Sequence, residues 1–140
     1  MKCLSDYYTE NALDDYYTCE SCGKKTKAKV RHMVVKLPKV LIFHIKRFDE
    51  KFRKIEKKTE YGATLDMGQF CMPGCDVALL GNTNYRLFAL TVHSGTLAGG
   101  HYVAYAERGN GQWFNFNDEY YQECSSAEAL KQQAYLLFYR

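Results

Sequence analysis

The chain is poor in the residues that interrupt or anchor a fold. It has two prolines in 140 residues and no Ser/Gly-rich tract, so no linker divides it and a single domain is expected. No apolar run approaches the ~18 residues that a membrane-spanning helix needs, and no membrane role is expected. The start, Met1-Lys2-Cys3-Leu4-Ser5-Asp6, lacks the apolar segment of a secretory signal. An intracellular setting, cytoplasm or nucleus, is therefore expected. There the six cysteines read as thiols or metal ligands before disulfides. Strong charge is also missing. The net charge of +3 is mild for a nucleic-acid partner, whose phosphates draw a denser basic field, and no such partner is expected. No repeat or low-complexity tract is visible.

Aromatic residues are what the chain has in quantity: 15% of the total, with 12 tyrosines. Such content favours sheet and suggests surfaces that bind other chains. Residues 3–13 suit a short helix, with Leu4, Tyr8 and Ala12 at four-residue steps. "CESCGKK" reads as a knuckle in which Cys19 and Cys22 bracket two residues and Gly23 closes the turn. "TKAKVRHMVVKLP" alternates as one strand whose parity changes, so a bulge near His32 is expected. Val40 to Ile45 is apolar on both faces and reads as a central, covered strand in which His44 is a core histidine. Residues 49–58 are mostly charged and suit a solvated turn or hairpin edge.

"YRLFALTVHSG" reads as a strand ending at Gly95, followed by a loop, "TLAGG", and by the strand His101 to Tyr105. Gly109, Asn110 and Gly111 supply a hairpin turn with positive φ, and "WFNFND" returns. Ser125 lies three residues ahead of Glu128, the spacing of a capping box on a short helix. "YLLFYR" closes as a strand. The expected class is α+β: a strand-rich antiparallel sheet with short peripheral helices.

The 109–111 hairpin carries the chemistry. Antiparallel pairing brings Asn117 or Asp118 opposite His101. A carboxamide oxygen or carboxylate there accepts the Nδ1–H bond and leaves Nε2 for a reacting group. Gly95, Gly99 and Gly100 offer a backbone that a substrate chain can approach closely. His93 and Tyr102 flank the same loop. The plain alternative is a tight turn feeding a strand that happens to open with histidine.

Five stretches, "CESCGKKTKAKV", "LPKVLIFHIKRF", "YRLFALTVHSGTLAGGHYVAYA", "WFNFND" and "AYLLFYR", carry a resemblance. In that order they are similar to the C-terminal half of the ubiquitin-specific protease catalytic domain, the papain-like cysteine deubiquitinases. The resemblance implies one partial domain over 1–140, with a fingers remnant at about 15–35 and a palm at about 36–140. It implies His101 as catalytic base, Asn117 as the residue that orients it, and Asp118 beside them. It implies His93, Gly95, Gly99, Gly100 and Tyr102 as a channel for a substrate tail, and ubiquitin or ubiquitinated proteins as partners.

It also implies that the nucleophilic cysteine, in a Gly-Asn-Thr-Cys box at a helix head, belongs to a segment absent here. "GNTN" at 81–84 carries Asn84 in place of the cysteine and reads as a coincidence. The chain is then expected to be inactive alone, as a portion needing an N-terminal half. A catalytically inactive ubiquitin-binding module is the alternative, and a small zinc-knuckle nucleic-acid binder a weaker third. No cofactor is expected for catalysis. Cys19 and Cys22 match half of a structural zinc set, so zinc is expected at low occupancy if at all, with Cys71 and Cys75 a remote second pair.

Overall fold

A computed structural model describes residues 2–77 and 81–140. Within them helix α1 (Lys2–Tyr8) leads into strands β1 (Asn11–Thr18), β2 (Lys25–Val30), β3 (Val34–Lys36), β4 (Leu41–His44), β5 (Thr64–Asp66) and β6 (Cys71–Asp76). The second half runs β7 (Asn84–Thr96), β8 (Gly99–Glu107), β9 (Trp113–Asn117), β10 (Tyr120–Cys124), helix α2 (Ser126–Leu130) and β11 (Ala134–Tyr139). The main sheet has seven strands, in the order β10-β9-β8-β7-β11-β4, with β5 also paired to β7. Its pairings are all antiparallel. β1 and β2 form a separate ribbon, and β3 pairs with β6 in parallel. The strand-rich α+β class expected from the sequence is the one observed.

Alternation sorts the main sheet into two faces. Leu90 on β7 stands opposite Leu137 on β11 and Tyr105 on β8, all on the core side. Leu90 is wholly buried there, with Leu87, Tyr85, Trp113, Leu137 and Tyr139. Loops and both helices cover this side: Leu4 and Tyr8 of α1 and Ala129 and Leu130 of α2 join the core. The α2 start is built as expected. Ser125 Oγ accepts from Glu128 N, and Glu128 Oε2 accepts from Ser125 N.

Several local expectations fail for tertiary reasons. The helix expected over 3–13 stops at Tyr8, where Thr9 Oγ1 caps the Ser5 carbonyl at 2.6 Å. Ala12 then pairs with Lys29 in the β1–β2 ribbon. The single strand expected across His32 is two strands in different sheets. The chain changes parity by leaving one sheet for another, and the His32 ring stacks on Tyr7 at 4.9 Å. The strand expected to be central, β4, is an edge strand paired to β11, with Ile42 exposed. His44 is correspondingly exposed, not core, and meets Tyr135 edge-on at 4.8 Å. Only Gly111 takes positive φ in the 109–111 turn, because a bond from Gly111 N–H to Arg108 O makes a longer turn than two residues.

Two tyrosines stitch the 59–62 segment to the core. Tyr61 Oη donates to Gln132 O at 2.8 Å, and Tyr139 Oη donates to Gly62 O at 2.8 Å. Burial pushes both phenols up to about 12. Unfolded phenols ionise near 10, so the folded state keeps these protons longer. Stability is therefore complete below about pH 10 and falls as pH rises toward about 12. The urea midpoint is predicted to drop across that window, and to drop less steeply in Tyr139→Phe. A midpoint that stays flat through the window would contradict this account of the two phenols.

Candidate active site

The register of β8 against β9 positions the histidine. Ala104 stands opposite Phe116, Tyr105 opposite Asn115 and Glu107 opposite Trp113. Continued by one step, that register places Asn117 across from Val103, on the same face as His101 but one diagonal away. Diagonal neighbours stand roughly 7–8 Å apart, within reach of a long side chain. The outer nitrogen of the ring makes the contact: His101 Nε2 lies 2.5 Å from Asn117 Oδ1. With the carboxamide oxygen as acceptor, Nε2 carries the proton and Nδ1 keeps its lone pair. The expectation that Nδ1 would bond the partner and Nε2 would be left free is thus reversed.

Asp118 lies just past the ladder. Asn117 pairs with Tyr120, so Asp118 and Glu119 form a two-residue turn, and Asp118 takes φ 52°. Asp tolerates that left-handed conformation better than most residues. The turn swings its carboxylate outward, 74% exposed, with Oδ2 4.0 Å from His101 Nε2. Asn117, still within the strand, holds the short contact. The imidazole is 47% exposed and stands beside an open cleft lined by Asn117, Asp118, Glu119 and Tyr120.

The stretch expected to be a loop is the tip of a tight hairpin. Thr96 pairs with Gly99, Gly95 with Gly100 and Ser94 with His101, so β7 and β8 stay paired to within two residues of each other. Gly95 has φ 113°, and a Cβ on it would sit 2.6 Å from the Gly100 Cα. A Cβ on Gly100 would sit within clash distance of the His93 ring. These two glycines are thus required by the packing of the tip itself. Gly99 borders open space and is the one free to face a passing chain.

His93 and Tyr102 fall on the other side of the ribbon from His101. They are cross-strand partners, and Tyr102 follows His101 directly, so its side chain points to the opposite face. His93 is buried, with Tyr102 at 4.7 Å, Tyr135 at 5.7 Å and Phe48 at 5.9 Å between ring centres. Its carbonyl accepts a bond from Lys54 Nζ at 2.7 Å. Partial desolvation and the neighbouring Tyr135 push the Tyr102 phenol up. These contacts make a brace under the hairpin that carries His101. Lys54 and Tyr135 had no local signal, because their roles come from pairings 39 and 42 positions away in the chain.

The thiols divide by environment. Cys19 sits in the knuckle as expected: Gly23 N–H donates to Cys19 O at 2.8 Å, and Gly23 has φ 68°. Backbone N–H groups of Cys22 and Ser21 point at its sulfur and lower its pKa. Burial and the neighbouring Cys75 push Cys71 up to about 11. Burial and two glutamates push Cys124 up. The side-chain partners of the His101 ring are Asn117 and Asp118; no cysteine is among them. Two thiols at the knuckle do not make the four ligands of a structural zinc site, and among the described residues no group of three or more His, Cys, Asp or Glu is placed to hold a metal. The zinc expectation therefore does not fit this chain by itself. "GNTN" is a turn: Asn84 opens β7, and Thr83 Oγ1 donates to Asp66 at 2.6 Å.

Comparison with known proteins identifies the family and the fold. Residues 2–139 match the family described as ubiquitin carboxyl-terminal hydrolase. The chain is 33% identical to ubiquitin carboxyl-terminal hydrolase 8 of Saccharomyces cerevisiae, over 99% of this chain and 31% of that protein. It is 35% identical to ubiquitin carboxyl-terminal hydrolase 2 of Gallus gallus, over 99% of this chain and 40% of that one. Among solved structures it resembles the SAGA Ubp8/Sgf11/Sus1/Sgf73 DUB module bound to monoubiquitin, with TM-score 0.77, 34% identity, and coverage of 99% of this chain and 31% of that one. The same module bound to ubiquitin aldehyde gives TM-score 0.75 at 31% identity, covering 99% of this chain and 32% of that one. The chain thus spans 31% to 40% of the length of these relatives. No helix among the described residues is long and apolar enough to cross a membrane.

The thiol environments predict an order of modification. Limiting iodoacetamide at pH 8 is expected to label Cys19 at least ~10-fold faster than Cys71, because reaction follows the thiolate fraction. Peptide mass spectrometry reads the order. Faster labelling of Cys71 would overturn the assignment of environments.

Proposed function

The chain belongs to the ubiquitin carboxyl-terminal hydrolase family, and from that premise we propose that it is the base-bearing portion of a thiol-dependent deubiquitinase. The substrate is a peptide or isopeptide bond after the C-terminal glycine of ubiquitin. One observation carries the reading: His101 Nε2 bonded to Asn117 Oδ1, with Nδ1 open on an exposed ring. Relatives of this chain solved with monoubiquitin and with ubiquitin aldehyde support the choice of substrate.

In this reading the ring takes a thiol proton at Nδ1, and the thiolate attacks the scissile carbonyl. The imidazolium then returns the proton to the leaving amine. Water attacks the thioester with His101 as base, releasing the carboxylate and restoring the thiol. Asn117 fixes the ring through Nε2 in both protonation states, since that nitrogen carries a hydrogen in each. Its amide is neutral, so it orients the imidazolium but adds no countercharge. Asp118, 4.0 Å from the same nitrogen, supplies a weak and solvated negative field.

The nucleophile comes from an N-terminal portion of the catalytic domain, joined in cis or in trans. The thiols of Cys71 and Cys124 are held protonated by their surroundings, and Cys19 sits in the knuckle of the separate ribbon. The fingers remnant and palm grip the ubiquitin body, and the tail passes the tip at Gly99.

The test is turnover of a ubiquitin–dye conjugate, alone and after mixing with the cysteine-bearing N-terminal portion of a related domain. The chain alone is predicted to be inert, and mixing to restore cleavage. His101→Ala is predicted to remove at least ~10²-fold of the restored rate, and Asn117→Ala ~10- to 10²-fold. Turnover by the chain alone, lost on mutating one of its six cysteines, would overturn the division of labour. Ubiquitin binding with no turnover in any pairing would favour the inactive module.

A further inference from the structure

We propose that Lys54 is a positioning residue for the reaction: it holds the end of β7, and through it the hairpin tip from which His101 projects. The inference rests on the reading of His101 as the catalytic base.

Lys54 stands on a small hairpin built from the charged stretch after β4. Phe48 and Lys54 pair in an antiparallel bridge, and Ile55 N–H donates to Arg47 O at 2.7 Å. The Asp49 carboxylate fastens the turn: Oδ1 accepts from Lys51 N and Arg53 N at 2.9 Å, and Oδ2 accepts from Arg53 Nε at 2.8 Å. Phe52 completes it at φ 61°, a left-handed conformation that a bulky residue keeps only where its surroundings impose it. The turn is therefore a defined unit. Of the five cations between residues 51 and 58, only Lys54 is not exposed.

Two cations join this unit to the main sheet. Buried Arg47 donates from Nε to Ala134 O at 2.8 Å and from Nη1 to Lys57 O at 3.1 Å. Ala134 opens β11 and stands opposite Val92. The β7–β11 ladder ends at that pair, so among the described residues His93, the next residue of β7, has a strand partner only in β8. Lys54 Nζ donates to the His93 carbonyl at 2.7 Å, and the Phe48 ring meets the His93 ring at 5.9 Å between centres. An ammonium–carbonyl bond, charged on one side, is stronger than the neutral bond of a ladder. Lys54 thus continues the restraint of β7 for one residue past the end of β11.

That residue governs the base from two directions. Ser94, next along β7, pairs with His101 across the ladder. Gly100, next to His101 along β8, lies against the His93 ring, where a Cβ would clash with it. Without the ammonium, the His93 backbone is held on the β8 side alone, and a shift there passes to both neighbours of His101. The side-chain partners of the His101 ring are Asn117 and Asp118, so Lys54 acts through the backbone. A displacement of ~1 Å at a reacting group can lower a rate by as much as ~10²-fold.

Two variants and two readouts test this. In the chain recombined with a cysteine-bearing N-terminal portion, Lys54→Met is expected to lower kcat about tenfold and to change KM less than about twofold, and Lys54→Arg to restore most of the rate. In the chain alone, hydrogen exchange at amides 94–101 is expected to quicken about tenfold in Lys54→Met and to return in Lys54→Arg, with β9 and β10 unchanged. A wild-type pairing without turnover would count against the deubiquitinase reading, while the exchange pattern still decides whether Lys54 holds the tip. Exchange at 94–101 that stays at the wild-type rate, or that quickens evenly across the sheet as it does for a merely structural residue, overturns the proposal. So does a loss of kcat that Lys54→Arg leaves uncorrected.

Discussion

The account rests on the antiparallel register between β8 and β9. That register sets His101 and Asn117 on one face and one diagonal apart. A shift of one residue would send them to opposite faces, because side chains alternate. The register has several supports. Trp113 is buried opposite Glu107, whose carboxylate accepts from Arg86 at 2.5 Å and lies 3.5 Å from Arg140. Slipping the strand would expose the indole and strand a buried carboxylate, each a loss of several kcal/mol by the usual scale of such changes. The His101–Asn117 geometry is thus held by the core and its ion pair, with Trp113 four residues from Asn117 along the strand.

The ring meets Asn117 through Nε2, so Nδ1 is the nitrogen left for other partners. The hairpin tip that carries the ring is closely packed. Gly95 and Gly100 have their backbones in contact, and His93 fills the space beneath Gly100 from the other face.

Much of this was legible in the sequence. Period-two alternation gave β7, β8, β9 and β11, and the Ser125–Glu128 spacing gave the cap of α2. The hairpin through 109–111 brought His101 and Asn117 together, and the five stretches named the family. What failed were features decided by distant contacts. β4 is apolar on both faces but lies at an edge, and neither its position nor the exposure of His44 follows from its own residues. The break at His32 looked like a bulge because a change of sheet and a bulge alter parity alike. The helix end at Tyr8 depended on the pairing of Ala12 with Lys29. That Gly95 and Gly100 are needed by the packing of the hairpin tip itself does not follow from the local sequence. The choice of imidazole nitrogen depends on side-chain rotamers, which periodicity does not supply.

The most direct measurement is the tautomer of His101, read from long-range ¹H–¹⁵N correlations of the neutral imidazole in the intact chain. The account predicts the proton on Nε2, with that resonance moving in Asn117→Ala and little changed in Asp118→Ala. A proton on Nδ1, or a resonance that follows Asp118 and ignores Asn117, would contradict the geometry from which the functional reading is drawn.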